Sequence, residues 1–146
     1  MLRNNMLSPE ICTDDFEDRL VVITGATSGI GFATAEKYAL HGAEILGINR
    51  NESKSKDFCR AIENQYQTKC SYLLADFSRL AEIHAVANKL SRLDRDIDVL
   101  IHNAGVFNTK KIFTEDDLEM VFQVNYLSTF ILNYYLKEKL KGLNHG

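Results

Sequence analysis

The residues in this 146-residue chain best suited to chemistry are small ones, in the run Thr24-Gly25-Ala26-Thr27-Ser28-Gly29-Ile30-Gly31. A glycine turn that leads from a buried strand into a helix offers a ligand unpaired backbone N–H groups and the partial positive charge of the helix start. Small side chains let that backbone come close. A dinucleotide pyrophosphate is the group such a turn suits, and Gly25, Thr27, Ser28, Gly29, Ile30 and Gly31 are the residues expected to hold it. The spacing Gly25-x-x-x-Gly29-x-Gly31 is not the general G-x-G-x-x-G fingerprint, so its context carries the weight. It follows the apolar run Leu20-Val21-Val22-Ile23, opens a helical pattern, and precedes a second strand ending where a ribose-reading residue belongs. A turn that only connects strand to helix is the bland alternative.

That second strand closes in Gly47-Ile48-Asn49-Arg50-Asn51, without the carboxylate that would bind an NAD ribose. A neutral Asn49 does not repel a 2'-phosphate, and the Arg50 guanidinium can form two charge-assisted bonds to its oxygens. NADP(H) is therefore the expected cofactor, ahead of NAD(H), although an arginine at a strand end is commonly just exposed. Three more polar residues stand out: Asp76, Asn103 and Asn125. Read singly, Asp76 is a capping carboxylate, Asn103 a turn residue and Asn125 a core amide with a backbone partner.

The elements that must position these residues follow from periodicity. The short apolar run at 20–23 reads as a strand covered on both faces, and 43–48, 71–75 and 97–101 are further strand candidates. Helical spacing fills the gaps: 30–41, stopping at Gly42; 52–66, with Phe58, Ile62 and Tyr66 in one stripe; and a third helix capped by Ser78, with Leu80, Ile83, Ala87 and Leu90 on one face. A fourth helix is expected over 115–140, capped by Thr114, with Lys137, Lys139 and Lys141 against the negative end of its dipole. It is apolar nearly all round from Met120 to Leu136 and so needs cover on a second side. Strand and helix alternate four times. The fold class is α/β: a doubly wound, Rossmann-like parallel sheet in the order 3-2-1-4.

A chain this short suits one domain, expected over 20–146 behind a mobile lead-in at 1–19. A net charge of −3 gives no basic field for nucleic acid or an anionic membrane. No apolar run reaches the length of about 18 residues that a spanning helix needs. Cys12, Cys59 and Cys70 lack paired spacing and read as free thiols of a reducing, cytoplasmic compartment. The four histidines, His41, His84, His102 and His145, form no metal spacing.

Taken together, four stretches resemble the short-chain dehydrogenase/reductase family in their order along the chain, over roughly residues 19–141. The turn 24–31 resembles its T-G-x-x-x-G-x-G cofactor motif, and Asp76, with Phe77 after it, its aspartate beside the adenine ring. Asn103-Ala104-Gly105 resembles its N-A-G, which packs by the cofactor and steadies the sheet. Asn125, after Val124, resembles the asparagine of its catalytic tetrad. The Asn49-Arg50 pair is most similar to NADP-preferring, retinol-dehydrogenase-like members. The resemblance implies hydride transfer between NADP(H) and a small-molecule alcohol or carbonyl. The family's catalytic serine and Tyr-x-x-x-Lys come later in sequence, so this chain is expected to be the cofactor-binding half and inactive alone. Tyr135 and Lys139 have that spacing but share a helix with Asn125 and read as coincidence. The alternative is a non-catalytic module docking through helix 115–140, the helix that in the family commonly lies at a subunit interface, which also allows a homo-oligomer.

Overall fold

The computed structural model of the chain describes residues 14–140. The readings of Cys12, Lys141 and His145 lie outside them. Strand β1 (Leu20–Thr24) is buried at every position. Its neighbours are β2 (Glu44–Asn49) and β4 (Val99–Ile101), with β3 (Cys70–Leu74) beyond β2. All pairs are parallel and the order is β3-β2-β1-β4, as the alternation predicts.

Alternation along the strands splits the core into two layers. Val21, Ile23 and Ile45 face α1 (Gly29–Leu40) and α2 (Glu52–Tyr66), meeting Ala35, Ala39, Phe58 and Ile62. Leu20, Val22, Leu46 and Ile48 face the opposite layer, where α3 (Leu80–Ser91) supplies Ile83, Val86, Ala87 and Leu90. The same layer receives Leu132 and Leu136 of the last helix. The described residues of the expected lead-in, 14–19, make contacts with the domain. The Phe16 ring stands edge-on to Tyr38 at 4.9 Å and its amide donates to the His41 carbonyl, because an aromatic side chain here finds apolar cover beside α1.

The fourth helix departs from expectation at its start. It begins at Met120, as α4 (Met120–Phe122), runs through a π-helical turn (Gln123–Leu127) and continues as α5 (Ser128–Leu136). The segment before it is held by non-local bonds. Asp117 takes a left-handed φ of 60°, Phe113 bridges Glu119, and Thr114 donates to Gln123 Oε1 instead of capping. Glu119 is the cap, accepting from the Val121 and Phe122 amides. Nor does Ser78 cap α3. Its amide and hydroxyl both donate to Asp76 Oδ1, and the Leu80 amide is met instead by Asp116 Oδ2 at 2.8 Å. The last-turn lysines go elsewhere too: Lys139 Nζ donates to the Leu93 carbonyl, and Lys137 lies over the Tyr134 ring.

One side of this helix packs on the sheet. Phe122, Tyr126, Phe130 and Tyr134, four apart on the other side, stay exposed. Among the described residues no helix is long and apolar enough to cross a membrane, and no cluster of His, Cys, Asp and Glu could hold a metal ion.

Candidate functional site

A cleft of about 450 Å³ opens where the carboxyl ends of the strands meet the segments that follow them. Its floor is the turn after β1. Gly25 takes a φ of 69°, and a Cβ there would lie 3.0 Å from the Ala104 Cα, so the position needs glycine for both its angle and its space. A Cβ on Gly31 would lie 2.3 Å from the Gly25 carbonyl oxygen and 2.5 Å from Asn103 Nδ2. Helix α1 therefore starts hard against the turn. Gly29, by contrast, has nothing within 4 Å of where its Cβ would be, which leaves the backbone open to a ligand.

One hydroxyl and one amide lock this floor to β4. Thr24 Oγ1 accepts from the Asn103 and Ala104 amides at 3.0 and 2.9 Å, while Asn103 Nδ2 donates to the Thr24 and Gly25 carbonyls. Sheet and turn are thus one unit. Asn103, Ala104 and Gly105 all line the cleft.

Beyond β2 the wall carries Asn49 and Arg50, with Asn51 and Lys54 beside them. Arg50 is exposed, but Asn49 is only 4% exposed, and its Oδ1 accepts the Ala26 amide at 2.8 Å. Asn51 caps α2 by accepting the Lys54 amide, which sets Lys54 on the same rim as Arg50. Lys54 was missed in the sequence. The available signal was its place four residues after Arg50, in the first turn of the expected helix 52–66.

Beyond β3, Asp76 and Phe77 both line the cleft, and Phe77 is otherwise buried in the core. Burial pushes the Asp76 carboxyl up. The bonds from the Ser78 amide and hydroxyl and the charges of Arg50 and Arg79 more than offset that, and hold it below its ordinary value. The carboxylate therefore stands ionised as an acceptor at the cleft wall.

Val124 closes the far end, and Asn125 sits in the π-helical turn, just behind the lining. Its amide bonds both backbone groups of Val106, which does line the cleft. Such turns often occur at functional sites because the extra residue re-aims the side chains around it. Of the expected cofactor residues, Gly29, Ile30 and Gly31 do not border the cleft, and Ile30 is 79% exposed. Tyr135 and Lys139 face away, the Tyr135 hydroxyl lying 3.1 Å from His84 Nδ1 on α3.

Comparison with known proteins agrees with this geometry. A family model described as short chain dehydrogenase matches residues 19–146. The WW domain-containing oxidoreductase of Gallus gallus is 35% identical over 128 residues, covering 87% of this chain and 31% of that protein. Polyprenol dehydrogenase of Homo sapiens is 34% identical over 125 residues, covering 85% of this chain and 38% of that protein. The chain thus spans about a third of the length of these curated relatives. A short-chain dehydrogenase from Sphingobium yanoikuyae, solved with NADPH, superposes with a TM-score of 0.75 at 26% identity, covering 85% of this chain and 49% of that one.

Proposed function

The chain belongs to the short chain dehydrogenase family, oxidoreductases that bind NAD(P) and act on small molecules, and from that premise we propose that its cleft takes NADP(H) in preference to NAD(H). The observation that carries the preference is the pair of cations Arg50 and Lys54 on the rim beyond β2, where the neutral Asn49 ends the strand in place of a ribose-binding carboxylate. The NADPH complex of the Sphingobium relative supports the same reading.

Within it, the glycine turn and the start of α1 take the pyrophosphate, Arg50 and Lys54 the 2'-phosphate, and Asp76 the adenine side. The residues fit the group: the turn is packed tightly at Gly31, its residues Gly25, Thr27 and Ser28 line the cleft, and the adjoining Gly29 presents no side chain to a phosphate. The bound cofactor would supply the hydride exchanged with a small alcohol or carbonyl. This chain's residues bind and orient it, and Asn125 fixes the segment after β4 through Val106. Tyr135 and Lys139 do not reach the cleft and supply no acid–base pair, so the 146 residues bind without turnover. The free thiols Cys59 and Cys70 support a reducing compartment such as the cytoplasm. The exposed row Phe122, Tyr126, Phe130 and Tyr134 supports self-association through that helix, which sedimentation across a range of concentrations checks.

Fluorescence titration with NADPH and NADH tests the cofactor assignment. Saturable binding of both is expected, tighter for NADPH. Arg50→Ala should weaken NADPH about tenfold and NADH little, the order expected for losing one charge-assisted pair. No saturable binding of either nucleotide overturns the assignment, and equal losses for both overturn the preference.

A further inference from the structure

We infer that Asn49 is a positioning residue: its buried amide braces the phosphate-binding turn from behind and does not read the ribose. The inference rests on the nucleotide reading above and divides the labour within it. Asn49 occupies the position at the end of β2 from which a side chain would meet the ribose. Its own side chain is committed elsewhere. Oδ1 accepts the Ala26 N–H at 2.8 Å, and the residue is 4% exposed. Nδ2 is buried with no hydrogen-bond partner. It lies against β2 and α2, since a Cβ on Gly47 would stand 2.8 Å from Nδ2 and 3.1 Å from Phe58 Cε1. Gly47 supplies the space in which the amide rests.

The bracing is continuous. The Gly25 amide donates to the Ile48 carbonyl at 2.8 Å, and the next amide, that of Ala26, donates to the next residue of β2 through its side chain. Two successive amides of the turn are therefore tied to two successive residues of one strand. An amide nitrogen buried without a partner is unfavourable, and an apolar side chain would avoid that cost. The group is kept for its oxygen, which holds Ala26 and so the path of the backbone into Thr27 and Ser28, both at the cleft. Because the turn meets the pyrophosphate that both coenzymes share, the brace sets affinity for both alike. Arg50, the next residue, sets the choice between them.

The test compares Asn49→Ala, Gly47→Ala and Arg50→Ala with the parent chain, each titrated with NADPH and NADH well below its own unfolding temperature. Hydrogen exchange at the Ala26 amide is followed without nucleotide. Asn49→Ala should weaken both nucleotides by the same factor, about fivefold, the order expected for one hydrogen bond, and leave their ratio unchanged. Gly47→Ala, which crowds the same amide from the opposite side, should reproduce that pattern, whereas Arg50→Ala should change the ratio. Ala26 exchange should accelerate in Asn49→Ala. A changed NADPH-to-NADH ratio in Asn49→Ala, or unchanged affinity for both, overturns the inference. So does unaltered Ala26 exchange. If the parent chain binds neither nucleotide, the cofactor reading fails while the exchange measurement still decides the brace.

Discussion

Asn125 and Val106 close a ring of two hydrogen bonds. The Val106 amide donates to Asn125 Oδ1 at 2.8 Å, and Asn125 Nδ2 donates to the Val106 carbonyl at 2.9 Å. A single side chain thus does for the segment after β4 what a neighbouring strand would do, and it does so from a π-helical turn. Asn125→Leu keeps the branched shape of the side chain and removes both bonds. Because water reaches the site, the expected cost is modest, about 1 kcal/mol, read as a lowered midpoint of thermal unfolding. A second expected effect is a looser cleft wall at Val106, read as weaker nucleotide binding in titration.

Gly31→Ala should separate helix propensity from fit. Alanine favours a helix over glycine by about 1 kcal/mol, yet here its Cβ would meet the Gly25 carbonyl oxygen at 2.3 Å. Because backbone, not a flexible side-chain end, is in the way, the turn must move. The expected outcome is at least about a tenfold loss of nucleotide affinity with helical circular dichroism unchanged. Retained affinity would show that the turn's path does not matter to the ligand.

Asp116 serves two distant groups, accepting from the Leu80 amide and from Gln123 Nε2. Gln123 is fully buried, so removing its partner strands an amide inside the protein. Asp116→Ala should cost about 1–3 kcal/mol by denaturant unfolding. Asp116→Asn, which retains an acceptor oxygen, should cost less.

Asp76 makes stability depend on acid. Its folded carboxyl titrates below the ordinary value of 3.8, after burial, which raises it, is outweighed by Ser78, Arg50 and Arg79. A lowered folded value means the ionised form stabilises the native state in full above pH 3.8. That contribution is lost as the pH falls through the lower folded value. Stability measured against pH in this acid range should therefore fall less steeply in Asp76→Asn than in the parent chain. Identical slopes would count against the Ser78 bonds as the cause.

The parts legible in the sequence are those decided locally. Leu20–Thr24 alternates between two buried layers, so its apolar run reads as a covered strand, and Gly25 after it has a positive φ that itself favours glycine. Helix α2 begins and ends where expected because Asn51 caps it three residues away and Phe58 and Ile62 mark its buried face. Where distant chain decides the outcome, the reading slips. Thr114 matches a cap by type, but Gln123 takes its hydroxyl and Asp116 is drawn to α3, so the helix starts at Met120. The direction of the Asn49 amide depends on Gly47, Ala26 and Phe58, which only the folded sheet brings together.

The lock between Asn103 and the glycine turn also sets an order of events in assembly. Asn103 Nδ2 donates to the Gly25 carbonyl across 78 residues of chain. Contacts that close so large a loop form late, because the chain must lose more freedom before they repay it. During synthesis the turn leaves the ribosome long before the residue that completes it. On the proposed nucleotide reading, a ligand would have nothing finished to hold until β4 docks beside β1, so it should favour the assembled sheet without guiding the first steps toward it.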